Sequence, residues 1–162
     1  MKVATSLADA DISHKSVVSI GNFDGVHLGH QAILKRVVKR ARELRLQAAA
    51  MTFSPHPIRF LAPERSPRLI STLEQKIQLI EALGIDLLFI AEFDEAFSRL
   101  SPEEFIDKYL VHDFNCHRMC LTGNDTGADN IEILRSQGAQ QRFRHRTLYA
   151  IGPTQKQHTV LH

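Results

Sequence analysis

Short apolar runs alternate with longer amphipathic stretches along this chain, and glycine or proline closes most of them. Val17 to Ile20 is a largely β-branched run ending at Gly21. After a short polar turn, Ile33, Leu34, Val37, Val38, Ala41 and Leu44 recur at helical spacing between Gln31 and Leu44. This predicts a strand, a glycine-bearing loop and a helix. Gln47 to Phe53 is helix-compatible by propensity, but it is short and stopped by Pro55 and Pro57, so it predicts a buried second strand.

Ser71-Thr72-Leu73-Glu74 has the S-x-x-E form of a capping box, with Ile77, Ile80 and Leu83 following at helical spacing. A helix is predicted from about Thr72 to Leu83, closed by Gly84, and Ile85 to Ala91 is the third strand. Ser101-Pro102-Glu103-Glu104 is a second capping box with proline at the first helical position, and its helix runs to about Val111. Met119 to Thr122 reads as a fourth strand, Ile131 to Gln137 as a helix closed by Gly138, and Thr147 to Ile151 as a fifth strand. Strands separated by helices cannot be hairpins. The fold class is therefore α/β, with a mainly parallel five-stranded sheet covered by helices on both faces. A length of 162 residues suits one domain, here residues 16–162 preceded by an N-terminal extension, residues 1–15.

Composition narrows the classes. A chain 43% hydrophobic and 23% charged is globular, and no apolar run reaches the length of a membrane span. Twenty Lys plus Arg against eighteen Asp plus Glu, a net charge of +2, gives no electrostatic reason to expect a nucleic-acid partner. Met1 to Ala10 has neither a secretory apolar stretch nor an Arg-rich transit pattern, so a cytoplasmic location is expected. Cys116 and Cys120 are too few for a disulfide framework and are expected as thiols. His112, Cys116, His117 and Cys120 lack the spacing of a common zinc finger, and no metal site is expected from them.

Open parallel sheets bind ligands outside the carboxyl ends of their strands, which directs attention to the first strand-to-helix loop. That loop reads Gly21-Asn22-Phe23-Asp24-Gly25-Val26-His27-Leu28-Gly29-His30. The glycines let backbone pass close to a ligand, and the helix start offers unpaired amides and partial positive charge, which suits phosphate. His27 and His30, three residues apart, add donors on roughly one side of the first helical turn. Such a pair can stabilise charge developing at phosphorus during in-line displacement. Taken alone, an H-x-x-H pair is more often two surface residues capping a helix, with Phe23 a core aromatic; what shifts the reading is that Gly, Phe, Asp, Gly, His, Gly and His occur together at one strand-to-helix turn. The loop contains neither the G-x-G-x-x-G dinucleotide fingerprint nor the G-K-[ST] of a P-loop.

The run GNFDGVHLGHQ, the segment MTFSPHP about twenty residues further on, and PRLISTLEQKIQLIEALGIDLLFIAEFDEAFSRLSPEEFI together resemble the adenylyltransferase module of bacterial FAD synthetases. This module is the usual N-terminal half of bifunctional riboflavin kinase/FAD synthetases, and the likeness covers residues 16–123. It implies a Rossmann-like, doubly wound nucleotidylyltransferase domain that moves AMP from Mg-ATP to the phosphate of FMN, giving FAD and pyrophosphate. It implies that His27 and His30, in the H-x-G-H motif, are catalytic and hold the ATP phosphates. Gly21, Asn22, Phe23, Asp24, Gly25 and Gly29 would complete the ATP side. Pro55, His56, Pro57 and Arg68 would line the flavin side; without the resemblance, Pro55 to Pro57 is a rigid post-strand turn and Arg68 a surface cation. Phe53 and Phe60 could pack on a flat ring, though two such residues around a proline turn are more often core.

The chain departs from the family after the fourth strand. Gly123-Asn124-Asp125-Thr126-Gly127-Ala128-Asp129 stands where the family reads G-x-[DN]-F-R-F-G, and Gln155 to His162 stands where it carries S-S-T-x-I-R, with Thr159 the one remnant. Loss of a preorganised donor costs on the order of a hundredfold in rate. The riboflavin kinase module is expected to be absent, and FMN to come from another enzyme. Two readings stand: an FMN adenylyltransferase, and a non-catalytic relative that binds a nucleotide or a flavin.

Overall fold

The computed structural model describes residues 1–6, 9, 14–66, 68–113, 115–120 and 130–132. The predicted fifth strand, Thr147 to Ile151, and residues 133–137 of the predicted last helix lie outside them. Six strands are present among the described residues: β1 (Lys2–Ala4), β2 (Ser16–Ile20), β3 (Gln47–Ser54), β4 (Leu87–Glu92), β5 (Cys116–Cys120) and β6 (Asn130–Glu132). Their order in the sheet is β1-β4-β3-β2-β5-β6. All pairings are parallel except that of β5 with β6. The architecture is the mainly parallel α/β sheet expected from the alternation of runs.

Two edge strands differ from the sequence reading. Lys2–Ala4, assigned to an N-terminal extension, pairs in parallel with β4 through Lys2↔Leu87 and Ala4↔Phe89 and so belongs to the sheet. Asn130–Glu132, predicted to open into a helix at Ile131, runs antiparallel to β5 with Ile131 opposite Met119. Segments of three residues are too short to show a period, and edge pairing overrides weak helical propensity.

The helices divide between the two faces. On one side lie α1 (Leu28–Leu44) and, after α2 (Pro57–Leu61), α3 (Leu73–Ala82). Leu34, Val37, Ala41 and Ile80 from these helices meet Val17, Ala48, Ala50, Leu88 and Ile90 from the strands. On the other side, α4 (Glu95–Ser98), α5 (Pro102–Phe105) and the π-helical turn Ile106–Asp113 pack Phe97, Phe105, Ile106 and Leu110 on Val18, Ala49, Met51, Phe89 and Met119. Period-two alternation along β3 thus sends Ala48 and Ala50 one way and Ala49, Met51 and Phe53 the other. The predicted α-helix to Val111 is replaced after Phe105 by the wider turn, which places Phe105 and Leu110, five residues apart, in one layer.

Capping chemistry sets the helix starts. Ser101 and Glu104 form the predicted box, the serine hydroxyl accepting from the Glu104 amide at 3.1 Å and the carboxylate from the Ser101 amide at 2.8 Å. The other box sits one residue later than predicted: Thr72 and Gln75 reciprocate at 3.2 and 3.0 Å, because the Ser71 side chain is engaged elsewhere. Far from the carboxyl ends of the strands, Arg42 near the end of α1 grips Asp86 through two bonds of 2.7 and 2.8 Å, and Asp86 also accepts from the Ala48 amide at 2.8 Å. This network lowers the Asp86 pKa, the Arg42 bond being the largest cause.

β2, β3 and β4 run out to one side of β2, whereas the chain then returns to place β5 on the other. The direction of winding reverses between β2 and β5, and the crevice at such a reversal is where doubly wound sheets bind ligands. The loop leaving β2 opens into it.

Candidate active site

Residues 21–30 leave β2, make the 3₁₀ turn Asp24–Val26 and enter α1 at Leu28. The turn is backbone-strained. Phe23 and Val26 have φ of 47° and 40°, a region costly for any residue with a Cβ and most of all for a β-branched one. Their side chains, 1% and 2% exposed, are anchored in the core, and the Gln31 side-chain amide donates to the Val26 carbonyl at 3.0 Å. Gly25, at φ 66°, is required twice over: a Cβ there would stand 2.9 Å from Cγ2 of Ile70.

The two histidines come together. His27 occupies the N-cap position of α1 and makes no capping bond with its side chain, so its imidazole remains available. Its ring stacks on that of His30, with centroids 3.7 Å apart and planes 24° apart, and Phe23 meets His30 edge-on at 5.4 Å. The Nδ1 of His30 is buried with no hydrogen-bond partner among the described residues. Burial is the largest cause lowering the His30 pKa; His27 and Lys76 add to it and Asp24 opposes it. The first turn of α1 contains no acidic residue, so no side-chain carboxylate there competes for its unpaired amides. Gly29 makes room for the pair, since a Cβ on it would lie 3.2 Å from Cε1 of His27.

Asp24 is placed in the turn as expected, but its carboxylate works inward. It accepts from the Ile70 amide at 2.9 Å, the Ser71 amide at 3.0 Å and the Ser71 hydroxyl at 3.2 Å, while the Gly25 amide donates to Ser71 Oγ at 3.0 Å. Burial works to raise the Asp24 pKa, and the bonds from Ile70 and Ser71 with the charge of Lys76 outweigh it, leaving it lowered. The turn is thereby fastened to the segment that leads into α3. Asn22 is held through its carbonyl, which accepts from the Thr52 hydroxyl at 3.1 Å, and Gly21 lies against the Phe23 ring.

Pro55, His56 and Pro57 follow β3. His56 caps α2, its Nδ1 accepting from the Ile58 amide at 3.2 Å with Pro57 at the first helical position. Its pKa is lowered first by burial and next by Lys76. Arg68 is exposed and shares a cavity of about 570 Å³ with Arg59, Pro63, Ser66 and Leu69; Pro55, His56 and Pro57 are not among its lining residues. The residues expected on the flavin side therefore fall into two groups, and Arg59 of α2 joins the second. Phe53, 8% exposed, belongs to an aromatic core cluster with Phe93 and Phe97, whereas Phe60 touches Phe93 and stays 40% exposed.

Thr52 and Lys76 were not singled out by sequence, and Ser71 was read as a helix cap rather than a site residue; all three are buried around the turn. Lys76 did leave a signal, because it falls at helical spacing with Leu73, Ile77 and Ile80 on the face that α3 buries. The two cysteines lie in the cores of opposite faces, Cys116 in one and Cys120 in the other. No helix among the described residues is long and apolar enough to cross a membrane.

A mainly parallel sheet whose winding reverses beside a glycine-bearing turn, with paired histidines at the helix that follows, is an α/β domain of the class that binds ligands outside the carboxyl ends of its strands. The FAD synthetase family profile matches residues 9–158, and the chain belongs to that family. It is 47% identical over 98 residues to the bifunctional riboflavin kinase/FMN adenylyltransferase of Bacillus subtilis (strain 168), covering 60% of this chain and 31% of that protein. It is 36% identical over 138 residues to the protein of the same name from Buchnera aphidicola subsp. Schizaphis graminum, covering 82% of this chain and 44% of that one. The chain thus spans less than half the length of these relatives. A crystal structure described as a macrolide-efflux protein from Streptococcus pneumoniae superposes with a TM-score of 0.64 at 27% identity, covering 74% of this chain and 40% of that chain.

Proposed function

We propose that the protein transfers AMP from ATP to the phosphate of FMN, giving FAD and pyrophosphate. The observation that carries this reading is the stacked His27–His30 pair, with a buried Nδ1 that has no partner among the described residues, at a helix N-terminus in the crevice between β2 and β5. Membership of the FAD synthetase family supplies the acceptor. A phosphate oxygen of FMN attacks the α-phosphorus of ATP; the new P–O bond forms as the bond to the bridging oxygen breaks, and pyrophosphate leaves with that electron pair. No covalent enzyme intermediate is needed. His27, His30 and the first amides of α1 hold the phosphates and offset the charge that builds on the departing group.

Gly21, Asn22, Phe23, Gly25 and Gly29 shape the turn against the nucleotide, with Asp24 acting as its fastening rather than as a contact. Pro55, His56 and Pro57 define one flank of the acceptor region and Arg68 with Arg59 a cationic second, suited to a phosphate-bearing flavin. Mg2+ would be carried by the nucleotide: the one carboxylate in the turn is already engaged by Ile70 and Ser71, and the described residues contain no cluster of three or more potential ligands. When bound, the ion supplies charge neutralisation across the phosphates. Two buried thiols suit the reducing interior of a cell.

The sequence departures at residues 123–129 and 155–162 favour a second reading, a relative that binds ATP or FMN without turnover. ATP labelled at its α-phosphorus separates the two. Label appearing in the flavin product in the presence of Mg2+ and FMN establishes AMP transfer; saturable binding of ATP with all label remaining in ATP establishes the binding protein.

A further inference from the structure

The face that α3 turns to the sheet contains one residue that apolar packing does not call for. Ile80 is fully buried, Leu73 and Ile77 pack against the same core, and Lys76 between them is only 7% exposed. A buried ammonium forfeits hydration that its partners must repay. Among the described residues Lys76 Nζ makes one hydrogen bond, donating at 3.4 Å to Oγ1 of Thr52, which is itself 0% exposed. An ammonium has three donors to satisfy. Thr52 in turn donates to the carbonyl of Asn22, at the start of the turn; burial lowers the Lys76 pKa, and the charge of Asp24 in that turn opposes it and favours the ammonium.

We propose that Lys76 is a positioning residue of the anion site: through the Thr52 hydroxyl it fixes the Asn22 carbonyl and hence the course of the turn, and it keeps positive charge beside that turn for a phosphate-bearing ligand. Packing alone does not account for it, since methionine fills a similar volume without the cost of desolvation. The charge is felt on both sides of the crevice. His30 and His56 are each held toward the neutral form, by burial first and with Lys76 contributing; the other charged or titratable groups acting on them are His27 and Asp24 for His30, and Asp24 and Arg59 for His56. A fixed cation beside neutral imidazoles leaves the histidines as hydrogen-bond donors and acceptors while the attraction for phosphate comes from the lysine and the helix start. The ligand named here rests on the nucleotide reading above; the placement of the charge does not.

The test uses the full chain as wild type, Lys76→Met and Thr52→Val, with three measurements: Tm, MgATP affinity by calorimetry, and the His30 titration midpoint by NMR. In Lys76→Met, Tm should not fall below that of the wild type, MgATP affinity should drop about tenfold, the scale of one charge-assisted hydrogen bond, and the His30 midpoint should rise toward its ordinary value. Thr52→Val, which keeps the ammonium and removes its relay, should also lose affinity. A folded Lys76→Met with unchanged affinity and unchanged His30 midpoint overturns the proposal. Should the methionine variant not fold, unchanged MgATP affinity in Thr52→Val overturns it. A wild type that does not bind MgATP, with the His30 midpoint still rising in Lys76→Met, refutes the nucleotide reading and leaves the placement of the charge supported.

Discussion

The imidazoles of His27 and His30 lie face to face, 3.7 Å between centroids, at the mouth of the crevice. Burial first, and the neighbouring His27 second, hold the His30 pKa below its ordinary value, so a proton on His30 is costly unless an anion offsets it. In the adenylyltransferase reading, the pair gains most when a phosphate arrives.

A pH dependence follows with a definite sign. An anion binds the protonated imidazole better, so MgATP affinity should rise as pH falls through the His30 pKa, below its ordinary 6.5. Stability of the unliganded protein should move the opposite way, declining as pH falls through the same window, because the folded state resists a proton that the unfolded chain accepts. Calorimetric titrations across this range, with His30→Ala as reference, check both; an affinity that follows the same curve in the variant contradicts the assignment.

His30→Ala itself should cut MgATP turnover on the order of a hundredfold while costing at most about 1 kcal/mol of stability. The side chain is only half-buried and its Nδ1 makes no bond among the described residues, so the fold loses little. Steady-state kinetics with thermal denaturation measure the two effects separately.

Gly29→Ala should separate function from stability in the other direction. Alanine in the first turn of α1 favours the helix by up to about 1 kcal/mol. Its Cβ would press on the His27 ring from 3.2 Å and unseat the stacked pair. The expected outcome is an unchanged or higher Tm with weaker MgATP binding. Gly25→Ala should instead destabilise, by about 1–2 kcal/mol, since φ is positive there and Ile70 stands in the way.

Asp24→Asn should cost about 1–2 kcal/mol by weakening the fastening of the turn to Ile70 and Ser71, the lower part of the range for bonds to a charged group because the site is partly solvated. The Asp24 pKa is lowered, so its contribution is present above the ordinary value of 3.8 and is lost as pH falls through the lower, folded value. Acid unfolding should accordingly be shallower in Asp24→Asn than in the wild type over that range. Equal acid limbs would contradict the fastening role.

Much of this was legible in the sequence, for identifiable reasons. The central strands announced themselves because strands buried on both faces are nearly continuous apolar runs, as in Ala48 to Met51 and Leu87 to Ala91. The loop from Gly21 to His30 stood out because strained backbone and a helix start each demand particular residues. The sequence could not show that Ser71 serves Asp24 rather than a helix cap, since that depends on contact between segments 46 residues apart or more. Lys76 was passed over because a lysine on an apolar face reads locally as an interruption; its meaning comes from Thr52 on a neighbouring strand. The edge strands Lys2–Ala4 and Asn130–Glu132 were missed because three residues hold no period.

AMP transfer to FMN is tested most directly by incubating the purified protein with FMN and MgATP and quantifying FAD and pyrophosphate by chromatography. The two products should form in equal amounts, with both rates reduced together in His30→Ala at undiminished folding. Absence of FAD from the wild type, or FAD formed equally well by the variant, contradicts it.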